Sequence, residues 1–149
     1  MIFQKQLFRH DPSRGEWGDC YRTAIACLLG LPAKHVPHFY YRYHENQHTA
    51  VNESIDNWLA DKGYATARVM YQCDLETLFN VQKALNPDIY YMLTGESKNG
   101  VNHVVICLND QIVWDSSLDD SGIIGPSDDG HYWIEWLLPV AMKLQAAAS

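Results

Sequence analysis

A cysteine stands where a Trp-Gly turn gives way to a helix-forming run, in "EWGDCYRTAIACLLGLP" (residues 16–32). A thiol at a helix start sits beside unpaired backbone N–H groups and the positive end of the helix dipole. Both favour the thiolate, which is the nucleophilic form. An isolated cysteine is more often a small buried hydrophobe. Cys27, amid Ala and Leu in the same run, reads that way, as do Cys73 and Cys107. Cys20 alone occupies a position that activates sulfur.

A cysteine nucleophile needs a base, and the base needs a group that orients it. "NGVNHVVICLNDQIVWDSS" offers His103, then Asp115. HVVICL and QIVWD read as the strands of a hairpin around Asn109-Asp110, and its register decides whether the two side chains meet. A two-residue turn pairs His103 with Ser116 and sends Asp115 to the opposite face. A three-residue loop, Leu108 to Asp110, pairs His103 with Asp115 directly and needs a left-handed residue at its end, which Asp tolerates. The expectation is that second register, or a bulge at Leu108–Asp110. Val104, Ile106, Ile112 and Trp114 then form the core face.

Other elements must carry these residues. Residues 2–8 (IFQKQLF) alternate and read as a short strand or extended arm; residues 9–18 read as loop. Asp19 is placed to cap a helix over Tyr21 to Leu29, which Gly30 ends, with Pro32 beyond. Thr49 to Lys62 reads as an amphipathic helix stopped by Gly63, and Asp74 caps a third helix running to Leu85. Strands are expected at 64–71, 89–93, 103–108, 111–115 and 131–138. Helices early and strands late predict an α+β fold with an antiparallel sheet. A chain of 149 residues suits a single domain, taken as 1–140, with a tail at 141–149 whose final LQAAAS is expected to be disordered.

Composition excludes some partners. A net charge of −7 argues against nucleic acid, which is bound chiefly through Lys and Arg, and against anionic membrane surfaces. No stretch approaches the ~18 apolar residues of a membrane span. The opening MIFQKQLFRHDPSRG shows no signal-peptide pattern, and the four cysteines form no CxxC pair. A cytoplasmic protein with reduced thiols is expected. No metal or other cofactor is called for: His35, His38, His44 and His48 lie close in sequence, but Pro37 breaks any helical register among them. The aromatic run HFYYRY (38–43) reads either as cover for a groove or extended partner, or as packing against the first helix. "LTGESKNG" (93–100) reads as a flexible loop. "SSLDDSGIIGPSDDGH" (116–131), acidic and glycine-rich, reads as a mobile, solvated loop able to act as a lid.

Two segments carry a family resemblance: "GDCYRTAIACLLGLPAKHVPHF" and "GESKNGVNHVVICLNDQIVWDSS". They resemble a family of small bacterial and phage proteins, whose pattern is similar to papain-like cysteine peptidases, especially the leader peptidases of bacteriocin exporters. The resemblance implies a papain-like α+β fold, with an N-terminal helix bearing Cys20 packed on an antiparallel sheet bearing His103 and Asp115. It implies Cys20 as nucleophile, His103 as base and Asp115 as orienter. Gln6, with Gln4 as second choice, matches the family's oxyanion-donating glutamine. Two positions depart from the leader peptidases: Tyr21 replaces a Gly after the Cys, where it is expected to narrow the cleft, and Ser116 replaces a Pro after the Asp. The implied function is a thiol hydrolase of amide or peptide bonds acting on a peptide, amide or protein substrate without a cofactor. The alternatives are an acyl transferase or deamidase using the same triad, as in transglutaminase-like enzymes, and a non-enzymatic phage or bacterial binding protein that kept the fold.

Overall fold

The computed structural model describes residues 1–140; the 141–149 tail and the expectation for LQAAAS lie outside the described residues. The fold is α+β. Five strands, β1 (Tyr64–Tyr71), β2 (Tyr90–Glu96), β3 (Asn102–Leu108), β4 (Gln111–Asp115) and β5 (Tyr132–Pro139), form one sheet in the order β1-β5-β2-β3-β4. Every adjacent pair is antiparallel. Three α-helices accompany it: α1 (Cys20–Leu29), α2 (His48–Asp61) and α3 (Leu75–Leu85). No helix among the described residues is long and apolar enough to cross a membrane.

Strands β2 and β3 are buried along most of their length because both faces of the sheet are covered. Alternate side chains point to opposite faces. Met92, Val104 and Ile106 meet Ala24, Ile25, Ile55 and Leu59 of α1 and α2. Tyr91, Leu93, Val105, Cys107 and Ile134 cluster with Leu78 of α3. Burying an Ile or Leu of this kind stabilises the fold by about 1.5–3 kcal/mol, so α1 is held firmly against the sheet.

Helix ends follow local chemistry, with one exception. Gly30, at φ 68°, terminates α1 and donates to the Ala26 and Cys27 carbonyls. The Asp74 carboxylate accepts from the Thr77 N–H and caps α3. Asp19 holds the N-cap position of α1, yet its side chain caps nothing. It faces the N-terminal arm instead. Residues 2–8 are that arm rather than a strand: Ile2 N–H donates to the Cys27 carbonyl (3.0 Å) and Gln6 N–H to the Ser116 carbonyl (2.8 Å). Trp114 of β4 stacks on Phe3 and donates to the Gln4 carbonyl (2.9 Å). The arm thereby covers the edge strand β4, whose open backbone would otherwise invite foreign pairing.

The β3–β4 hairpin corrects the expected register. Leu108 faces Gln111 across a two-residue turn, and the left-handed residue is Asn109 (φ 55°), not Asp110. Regular pairing from that turn would set Val104 against Asp115 and aim the carboxylate away from His103. A bulge between Ile106 and Cys107 prevents this: Cys107 faces Ile112, Ile106 faces Trp114, and Val105 faces Asp115, leaving Val113 as the extra residue. Asp115 is therefore not directly opposite His103. It shares the face of Val105, and hence of His103 two residues earlier, and reaches His103 on the diagonal.

Two loop expectations are also corrected. Strand β2 runs on through Gly95, which pairs with His103, so 93–96 is sheet rather than flexible loop. A Cβ on Gly95 would meet the Gly125 carbonyl oxygen at 2.6 Å and Ile123 Cγ2 at 2.7 Å, so only glycine lets the 123–125 segment cross here. The 116–131 segment is not a solvated lid. Glu96 donates to the Gly125 carbonyl (2.9 Å) and Ile124 donates back (2.8 Å), while Ser116, Ser117, Ser121, Ile123 and Ser127 are buried. Ser117 accepts from Ser121 N–H and Ser127 donates to the His131 carbonyl, which composition alone does not reveal.

Candidate active site

Cys20 is the first residue of α1, and its side chain is half-buried. The N–H groups of a first helical turn lack intrahelical partners. Here no side chain caps them, because Asp19 is engaged elsewhere. Its carboxylate accepts from Leu7 N–H (3.0 Å) and Phe8 N–H (2.9 Å), and Arg22 Nε donates to it at 2.9 Å. The helix start beside the thiol is thus left open to an anion from outside. Cys27, by contrast, is fully buried; burial pushes its thiol above the usual range, and its Sγ donates to the Gln4 carbonyl.

His103 begins the buried part of β3 and is 5% exposed. Its Nε2 lies 2.7 Å from Asp115 Oδ1. The Cys20 side chain lies close enough to the ring to act on its protonation. With Nε2 committed to Asp115, Nδ1 is the nitrogen left for the sulfur. Burial by itself would lower the His103 pKa, but the hydrogen bonds and charges of Asp115 and Cys20 outweigh it and raise the imidazole to about 10. Asp115 is held well below the carboxylate range. Burial opposes that, but His103 and the N–H groups of Ser117 (2.9 Å) and Gly122 (2.7 Å) prevail. The structure brings Cys20, His103 and Asp115 together at the junction of a helix start and two strands. Sequence reasoning missed Ser117 and Gly122, which hold the carboxylate through their backbone. The Gly-rich composition of 116–131 was the only signal for them.

No protein-family model, curated protein or solved structure matches this chain.

The two glutamines separate by position. The arm runs antiparallel to α1, so Gln4 lies at the helix's far end: its amide donates to the Leu31 carbonyl (2.7 Å) and accepts from Ala33 N–H (2.9 Å). Gln4 is a clamp with no donor to spare near Cys20. Gln6 comes one step before the Leu7–Phe8 pair bound to Asp19, beside the start of α1. It is buried; one N–H of its amide donates to the Phe8 carbonyl (2.6 Å), and its Oε1 has no partner. An amide nitrogen carries two hydrogens, so a second donor remains.

Tyr21 does not narrow a cleft. It is buried, and its hydroxyl donates to Glu135 Oε2 at 2.7 Å beneath α1, where Arg68 Nε also approaches the carboxylate (3.4 Å). The aromatic run is divided between core and surface. Phe39 and Tyr40 make edge contacts with Tyr21, while Tyr41 is exposed. Tyr40 lies within electrostatic reach of Cys20, a neighbour that sequence spacing did not reveal. Among the described residues no three His, Cys, Asp or Glu side chains converge as a metal site requires. His38 bonds to the Trp17 carbonyl (2.8 Å), and His48 to Tyr43 and Asn52. Hollows lined by Leu75, Phe79 and Asp110, and by Ala67, Ile89 and Trp136, contain none of Cys20, His103 and Asp115.

Proposed function

We propose that this protein is a thiol hydrolase of papain-like arrangement that cleaves an amide or peptide bond through Cys20, His103 and Asp115. The observation that carries the reading is the double engagement of one imidazole. His103 is held on Nε2 by a carboxylate 2.7 Å away, and the helix-start Cys20 is close enough to act on its protonation. A histidine used only for packing has no need of both partners.

In this reading His103 Nδ1 already holds the proton given up by Cys20, as its raised pKa favours, and the sulfur attacks the substrate carbonyl carbon. The imidazolium so formed is stabilised by Asp115. The carbonyl oxygen becomes an oxyanion at the uncapped start of α1, where the Cys20 N–H and the second amide hydrogen of Gln6 are its donors. The intermediate collapses as the C–N bond breaks. His103 gives its proton to the departing amine, and the acyl group remains on sulfur as a thioester. Water then loses a proton to His103 and attacks the thioester, which releases the acid and restores the thiolate beside the protonated imidazole. A free thiol nucleophile suits a reducing compartment, the cytoplasm.

The test is a substrate screen of peptides and amides with wild type and Cys20→Ala. Turnover by wild type that disappears in the variant supports the reading. Turnover that survives in the variant, or ligand binding without any turnover, refutes it and favours a binding protein.

A further inference from the structure

Just before Cys20 the chain builds an aromatic surface that the proposed reaction does not use. Trp17 and Tyr41 meet edge to face (5.5 Å between ring centroids), and His38 packs between Tyr41 (5.8 Å) and Phe8 (6.4 Å). The Arg42 guanidinium lies over both Trp17 (5.9 Å) and Tyr41 (5.3 Å). Phe8 and Tyr41 remain 44% and 53% exposed. The surface is anchored to the helix start, because Gly18 N–H donates to His10 Nδ1 and His38 is tied to the Trp17 carbonyl.

Arg42 is the unusual member. Its backbone is left-handed (φ 54°). The other non-glycine residues with positive φ are Asp88, Asn109 and Asp120, whose short polar side chains suit that region. Arginine has no such excuse, and the conformation carries its guanidinium onto the two rings. Like Arg9, Arg14, Lys34, Lys62 and Lys98, Arg42 forms no ion pair among the described residues, so its guanidinium is open to an outside carboxylate. The two ring contacts hold the guanidinium in place, and its N–H groups suit a carboxylate. Local charge agrees. Residues 1–42 hold six Lys or Arg against three Asp or Glu, while the rest of the chain holds five against fifteen. The positive excess of this acidic protein is gathered in the segment that surrounds Cys20.

We propose that this surface is a substrate-specificity site and that Arg42, held over Trp17 and Tyr41, binds an Asp or Glu side chain of an extended peptide. The proposal rests on the hydrolase reading for its placement and names the substrate class: acidic peptides. Trp17 precedes Cys20 by three residues, a reach of roughly 10 Å at most. A bound strand advances about 3.3 Å per residue, so the acidic residue falls two to four positions from the scissile bond.

The experiment measures binding, so that its outcome is separate from turnover. Fluorescein-labelled octapeptides carrying one Glu at each position in turn, and the matching Gln peptides, are titrated by anisotropy against Cys20→Ala protein and against Cys20→Ala with Arg42→Gln. The expected result is about fivefold tighter binding of Glu over Gln peptides, the scale of an exposed but preorganised ion pair. It should appear at one or two adjacent positions only and vanish with Arg42→Gln. Equal binding of Glu and Gln peptides, a preference that survives Arg42→Gln, a preference spread over all positions, or no binding of any peptide would overturn the inference. The hydrolase reading is judged apart, by acylation of Cys20 in wild type with a non-peptide activated ester, which needs no contact with Arg42.

Discussion

Replacing Asp115 with Asn keeps the side chain's shape and removes its charge, and the structure shows why the change is severe. The carboxylate accepts three hydrogen bonds: from His103 and Ser117 on Oδ1 and from Gly122 on Oδ2. An Asn side chain has one acceptor oxygen. With oxygen toward His103 and Ser117, the amide NH2 faces the Gly122 N–H. In the flipped orientation it faces the other two donors. At least one part-buried donor is stranded, at a cost of about 1–3 kcal/mol. The His103 charge also loses its counterion; with side-chain exposures of 6% and 12%, solvent does little to replace it. Breaking a buried pair from one side costs about 3–5 kcal/mol. These costs overlap, and about 3 kcal/mol is the expected total, read as the change in unfolding free energy by urea titration. A domain with the usual 5–15 kcal/mol of stability stays folded after that loss. The rise of His103 to about 10 is the net result of Asp115 and Cys20 outweighing burial. Losing roughly 2 kcal/mol of that stabilisation should slow iodoacetamide alkylation of Cys20 at pH 7 by about 30-fold. A stability change below about 0.5 kcal/mol together with an unchanged alkylation rate would refute the coupling.

The same pair sets a pH window. Because the folded pKa of His103 is raised, its stabilisation is complete below 6.5 and is lost as pH climbs through about 10. Asp115 is lowered, so its contribution is complete above 3.8 and is lost as pH falls further. The urea midpoint should therefore be highest between about pH 4 and 6.5, and its alkaline decline should shrink in His103→Gln. Gly95→Ala should destabilise by about 1–3 kcal/mol, since its Cβ would strike the Gly125 carbonyl and push the crossing segment that presents Gly122 to Asp115; equal urea midpoints would contradict this. Gln6→Ala should lower the turnover of any substrate found by about 10²–10³. Gln4→Ala should lower stability but leave turnover per folded molecule intact, because the Gln4 side chain bonds to Leu31 and Ala33 at the far end of α1.

The parts of the fold legible in the sequence are those set by local chemistry. Gly30 followed by Pro32 marks the end of α1, and Asp74 three residues before Thr77 marks the start of α3, because each acts within one turn. Cys20 at the first helical position was legible for the same reason. The contact between His103 and Asp115 was only half legible. Parity requires one extra residue in the hairpin, and the sequence allowed it in the turn. The chain places it at Val113, where Val113 and Trp114 both pack toward α1. That choice follows from burial of two apolar neighbours against another element, which strand alternation cannot express. Tyr21 was misread because its polar partner, Glu135, lies in β5, 114 residues away in the chain. The 116–131 segment departs from its solvated reading because acidic and small residues usually mean solvent, whereas here Ser117 and Ser127 bond within the fold and glycine permits close crossing.

The central claim, that Cys20 is a nucleophile driven by His103, is tested most directly by trapping the acyl-enzyme. Wild type, Cys20→Ala and His103→Ala are mixed with p-nitrophenyl acetate, followed by stopped-flow absorbance, and quenched in acid for intact-mass and peptide-mapping analysis. The account predicts a nitrophenolate burst stoichiometric with wild-type protein, with the acetyl group mapped to Cys20. It predicts no burst from Cys20→Ala and a burst slowed by about 10² or more in His103→Ala. Acetyl groups spread over Cys73 or lysines, or a burst from His103→Ala as fast as that of wild type, would contradict it.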